Sequence, residues 1–186
     1  LSLVGLIGSC ETPDIRKTLS LDFIFRDYSD HVAIYTDGSK SSTGAGSSFC
    51  IPSLSLNFSR PCSKSLSSLT TEMIAIWCAL DWIRREGPPK KYVILSDCLS
   101  GIQKIAQIPF RRIDNVLSRI FQIFNQVALS GSQVTIAWIP GHSGVPGNEL
   151  ANSLAKQAAT ESPFHTDPIE PTKSDARSLI RTYIIN

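Results

Sequence analysis

The sequence predicts an α/β fold: one five-stranded mixed sheet, with three antiparallel strands followed by two parallel ones, flanked by helices. Three observations carry that expectation. Short apolar or β-branched runs separated by turn residues fill residues 32–59. Two further runs, at 92–95 and 134–139, alternate with stretches of helical periodicity. Strands joined through helices run parallel, with right-handed crossovers.

Val32 to Asp37 is expected to be the first strand, ending at an Asp-Gly turn pair. Ser41 to Gly46 is a turn, and Ser47–Ile51 and Leu54–Ser59 complete an antiparallel meander broken at Pro52-Ser53. Ser67-Ser68 offers an N-cap for a helix from Leu69 to Arg85. Leu69, Met73, Ile76, Trp77, Leu80 and Ile83 make its apolar face, and Gly87-Pro88-Pro89 stops it. Tyr92 to Leu95 is a short buried strand, followed by a helix from Cys98 to Gln107 that Pro109 breaks. Ile113 to Leu129 has helical spacing, Val134 to Ile139 is the last strand, and Pro146 suits the first turn of a helix reaching Ala159.

These elements define a domain over residues 31–160. Residues 1–30 are expected to be a leader or inter-domain connection, and residues 161–186 a proline-marked linker and a truncated helix from Lys173 to Ile185. Five cysteines with no C-x-x-C pair favour free thiols and an intracellular location, cytoplasmic or nuclear. The apolar start, Leu1 to Gly8, is too short to span a bilayer and lacks the basic start of a signal peptide. The net charge of +2 is unevenly spread: residues 31–160 hold 12 basic and 7 acidic side chains. Once Asp37, Glu72 and Asp97 are set aside, the rest of that segment is distinctly cationic, which suits a polyanion.

Those three acids are the chemical focus. Asp37 and Asp97 stand at the carboxyl ends of apolar strands, where open α/β sheets collect ligands. Glu72 is expected in the first turn of a helix and on the side of Met73, Ile76 and Trp77. Each has a plainer explanation: a turn for Asp37, a helix-dipole contact for Glu72, a helix cap for Asp97. Their joint placement outweighs these, because three converging carboxylates repel one another unless a cation holds them. No Cys/His cluster points to zinc instead.

Four stretches carry a resemblance: Ile34-Tyr35-Thr36-Asp37-Gly38-Ser39-Lys40, Thr71-Glu72-Met73-Ile74-Ala75, Ile94-Leu95-Ser96-Asp97, and Trp138 to Ala151. In this order and spacing they resemble a type 1 ribonuclease H domain, of the kind attached to reverse transcriptases of non-LTR retrotransposons. The resemblance implies a ribonuclease H-like fold that hydrolyses the RNA strand of an RNA–DNA hybrid with two Mg²⁺ ions, or Mn²⁺ in their place. It implies that Asp37 bridges both ions, that Glu72 and Asp97 hold the ion nearer the leaving group, and that His142 is a mobile histidine aiding proton transfer or product release. Gly38 and Ser39 would offer backbone near the scissile phosphate. Lys40, Lys64, Arg84, Arg85, Lys90, Lys91, Arg111 and Arg112 are candidates for phosphate contacts.

The chain departs from the family pattern at Asn152, where an aspartate is expected. An asparagine keeps an oxygen donor but loses the charge, which predicts weaker hold on the water-activating metal and reduced turnover. Asn152 also supports an alternative, a catalytically impaired nucleic-acid-binding remnant of a retrotransposon. A monomer with a reverse transcriptase joined upstream, and no membrane partner, is the expected setting. DNA strand transfer on the same topology is disfavoured by the Thr36–Ser39 and Gly141–Gly144 stretches.

Overall fold

A computed structural model describes residues 12–107, 115–161 and Asp175. Its five-stranded sheet has the order β3-β2-β1-β4-β5, with β1 Val32–Lys40, β2 Ala45–Ile51, β3 Leu56–Cys62, β4 Lys91–Ser96 and β5 Gln133–Trp138. β1 pairs antiparallel with β2 and parallel with β4, which pairs parallel with β5. β3 carries Pro61, tolerated because β3 is an edge strand. The mixed sheet agrees with the sequence expectation, and the short strand shifts come from register that local propensity does not specify.

Alternation within the central strands divides the core into two layers. Ile34, Tyr92 and Ile94 face one way, onto α2 (Ser68–Arg85) and α4 (Asn115–Leu129), where Ile74, Ile76, Leu80, Ile83 and Ile120 are buried. Tyr35, Val93 and Leu95 face the other way, onto α5 (Pro146–Ala158) and α1 (Pro13–Tyr28). A short α3 (Leu99–Ala106) follows β4. Tyr92, Val93, Ile94 and Leu95 are all buried, as expected for a parallel strand covered on both faces.

Three local expectations are corrected. Residues 13–28, expected to be connection, form helix α1, which Thr12 caps by accepting from the Ile15 N–H. Phe23, Ile24 and Tyr28 of α1 pack on the second core layer, so burial there decides its structure. β1 does not stop at Asp37 but runs to Lys40, because the Asp-Gly pair is held in ladder register opposite Ser48 and Ser47 of β2. Glu72 lies in the second turn of α2, since the helix begins at Ser68 behind the Ser67 cap. Pro109, the start of the Ile113–Leu129 helix, and the Lys173–Ile185 helix apart from Asp175 lie outside the described residues. Cys50, Cys62, Cys78 and Cys98 are free thiols, as expected.

Candidate metal centre

The site begins with ladder register. Thr36 is the Cα partner of Ser96, the last residue of β4, so Asp37 and Asp97 emerge side by side where the parallel pair ends. Beyond that point β1 continues only against β2. Asp37 faces the α5 side, since its partner Ser48 donates to the Ala151 carbonyl at 2.6 Å. Gly38 faces α2, since its partner Ser47 donates to the Thr71 carbonyl at 2.7 Å.

Gly38 explains how Glu72 reaches the same place. A Cβ at residue 38 would lie 2.3 Å from the Glu72 backbone nitrogen, so only glycine lets this turn of α2 come so close. The Gly38 N–H also bonds the Glu72 carboxylate. One ligand oxygen from each of Asp37, Glu72 and Asp97 lies within 4.8 Å of the others. The expected convergence of the three acids is what the geometry displays.

The electrostatics of the cluster work against three ionised carboxylates side by side. Asp37 is 6% exposed, and its carboxyl is pushed up from 3.8 to about 7. Burial is the main cause, followed by the Asp97 charge; Lys156 opposes the rise and Glu149 adds to it. Glu72 is raised well above 4.5, again by burial first and then by Asp37 and Asp97. Among the described residues the buried Glu72 Oε2 has no hydrogen-bond partner, an expensive state for a carboxylate oxygen. Hard oxygen donors, mutual repulsion and an orphaned buried oxygen together fit a divalent ion such as Mg²⁺.

Asp97 is not the cap of α3. That place belongs to Cys98, whose side chain makes no capping bond. The Asp97 backbone carbonyl instead accepts from Trp138 Nε1 at 3.1 Å, and its Oδ2 accepts from Asn148 Nδ2 at 3.3 Å. Gly141 closes the other side: a Cβ there would lie 2.6 Å from Asp97 Oδ2. His142, next in sequence, is exposed and left-handed at φ 50°, in the loop between β5 and α5. Asn152 is half-buried on α5, one turn from both Glu149 and Lys156, the two α5 residues whose charges reach Asp37.

Asn148, Gly141 and Lys156 did not stand out in the sequence as site residues. The signal for Asn148 was its place in the quoted Pro146-Gly147-Asn148-Glu149 run, one turn before Asn152. The basic candidates divide. Lys64 and Lys90 are exposed, whereas the Lys40 ammonium is engaged by the Leu66 carbonyl. Arg84 and Arg85 pair with Asp81, and Lys91 with Asp30 at 2.6 Å. Residues 84, 85, 90 and 91 flank the loop entering β4, at the opposite end of the sheet from Asp97. Arg111 and Arg112 lie outside the described residues. A pocket of about 270 Å³ lined by Phe49, Phe58, Trp77 and Trp82 sits further along α2. It is separate from the acid cluster, and its Asp81 is already neutralised by two arginines.

A mixed sheet of this order, with acids gathered at the end of its central parallel pair, defines a ribonuclease H-like fold with a candidate cation centre. The family model for RNase H matches residues 29–160, and the chain belongs to that family. Among curated proteins, none matches this chain.

Proposed function

We propose that this chain is a metal-dependent endoribonuclease that hydrolyses the RNA strand of RNA–DNA hybrids, with turnover lowered by Asn152. Membership in the RNase H family supports hybrid cleavage in general. The observation that carries the finer reading is the convergence of Asp37, Glu72 and Asp97 around the orphaned Glu72 Oε2. When bound, two Mg²⁺ ions would activate a water and stabilise the departing 3′ oxygen of an in-line displacement. Asp37, Glu72 and Asp97 would hold the ions, Asp37 by serving both, and Asn152 would offer only a neutral oxygen to the water-activating one. Asn148 and Gly141 keep the Asp97 carboxylate aimed into the centre. His142 stands exposed beside this wall, where a proton acceptor or donor can meet solvent. Of the pair Gly38 and Ser39, next to Asp37 in the chain, Ser39 would offer its backbone to a phosphate of the RNA strand, since the Gly38 N–H is taken by Glu72.

The setting that fits is intracellular, as a monomeric domain of a retrotransposon reverse transcriptase polyprotein. Among the described residues no helix is long and apolar enough to cross a membrane. The test is cleavage of a labelled hybrid by the chain and by Asp37→Asn, with Mg²⁺ or Mn²⁺ and with chelator. Metal-dependent cleavage that Asp37→Asn abolishes is the expected result. Cleavage that survives Asp37→Asn or chelation would end the proposal. Asn152 favours one other outcome, tight hybrid binding without cleavage at high protein, which would mark an impaired nucleic-acid-binding remnant.

A further inference from the structure

We infer that Asp175 is a positioning residue for the metal centre: it completes, from beyond the matched residues 29–160, the cap of the helix that carries Glu72. In a complete capping box the N-cap side chain bonds the N–H of the third helical residue, whose own side chain reaches back to the N-cap N–H. Here α2 forms the first half alone: Ser67 Oγ accepts from the Thr70 N–H at 3.2 Å. The second half calls for a long acidic or amide side chain at position 70, and threonine is too short to turn back. A carboxylate 108 residues away takes that role. Asp175 Oδ1 accepts from the Ser67 N–H at 2.5 Å and from the Thr70 hydroxyl at 2.7 Å.

Asp175 is completely buried, with its carboxylate set against the start of α2. The positive end of α2 and two short hydrogen bonds help to make that burial tolerable. Glu72 lies only two residues beyond Thr70. Its backbone is already pressed against Gly38, and Thr71 is held through its carbonyl by Ser47. A loosened cap therefore moves the Glu72 carboxylate relative to Asp37 and Asp97. The active unit extends at least to Asp175.

The inference rests on the metal-centre reading above, so its test has two readouts. Asp175→Ala, in the full chain, is compared with the parent by backbone amide exchange and by calorimetric Mg²⁺ titration well below the melting temperature. Exchange of the amides at residues 69–72 is expected to quicken roughly tenfold, the scale of a lost cap, while the C-terminal half of α2 is unchanged. The Mg²⁺ dissociation constant is expected to rise by about tenfold, as for other losses of ligand support. Adding Thr70→Glu to Asp175→Ala supplies the missing half of the box locally and should restore both readouts; it also serves if Asp175→Ala alone does not fold. Unchanged first-turn exchange, or faster exchange with Mg²⁺ affinity equal to the parent's, overturns the positioning role. A parent chain that binds no Mg²⁺ overturns the metal-centre reading instead, leaving the exchange experiment to judge the Asp175 contact.

Discussion

Asn148 donates from Nδ2 to Asp97 Oδ2 at 3.3 Å, while its own buried Oδ1 has no partner among the described residues. A side chain only 2% exposed, and half-satisfied, is held there for its one bond. Asn148→Ala removes the donor that orients Asp97, and metal affinity should fall by about ten- to a hundredfold, the usual loss on removing such support. Asn148→Asp is expected to be worse, because it sets a second carboxylate against Asp97 in a buried place. Mg²⁺ titrations of hybrid cleavage by both variants check this. An Asn148→Asp variant with the parent's Mg²⁺ dependence would refute the orienting role.

Gly38 faces the Glu72 backbone so closely that any side chain must displace α2. Gly38→Ala is expected to lower stability by about 1–3 kcal/mol, the range for overpacked sites, and to lower metal affinity with it. Urea denaturation followed by tryptophan fluorescence, at saturating and at zero Mg²⁺, measures both. Gly131, at φ +83° with nothing near its Cβ direction, serves as the control: strain alone should govern its alanine variant, with no change in metal affinity.

The raised carboxyl of Asp37 makes the metal-free protein sensitive to pH in a definite direction. Its group titrates at about 7 when folded and near 3.8 when free, so between those values the folded chain keeps a proton the unfolded chain has released. Stability from this group is therefore complete below about pH 4 and lost as pH rises through about 7. Glu72, raised in the same direction by burial and by Asp37, adds to the loss. Mg²⁺ should reverse the trend, since it binds the deprotonated cluster and stabilises only the folded form. Melting temperatures in chelator should fall between pH 5 and pH 8, and the gain on adding Mg²⁺ should be larger at pH 8. A Mg²⁺ gain independent of pH would contradict this assignment of the charges.

Much of this architecture was legible because it rests on short-range pattern. The apolar run ending at Leu95 and the face of Met73, Ile76 and Leu80 declare a buried strand and an amphipathic helix without any partner in view. The convergence of Asp37 and Asp97 was legible for the same reason, as both follow such runs. What sequence pattern lacks is register and long-range contact. Asp37 looks like a turn residue locally, yet β2 extends the ladder past it. Residues 13–28 are polar enough to resemble a connection until Phe23, Ile24 and Tyr28 find the far face of the sheet. The Asn148–Asp97 and Asp175–Ser67 bonds span 51 and 108 residues, and no local period encodes either.

Asn152 lies one turn from Glu149 and one from Lys156, the two α5 residues whose charges act on Asp37 in opposite senses. An aspartate at 152 would stand four residues before Lys156 on the same helix, an arrangement that itself favours the ionised form. It would add a full negative charge between Glu149 and Lys156 on α5, where the neutral amide offers only a dipole. The metal-free protein should consequently be less stable as Asn152→Asp, because a further acid joins a cluster already short of positive charge. With Mg²⁺ the order should invert: tighter binding of the second ion, a larger metal-induced rise in melting temperature, and hybrid cleavage faster by about tenfold or more. Melting curves and cleavage rates across a Mg²⁺ series give both halves of this expectation. Equal rates for the parent and Asn152→Asp at every Mg²⁺ concentration would show that the fourth position does not limit this centre.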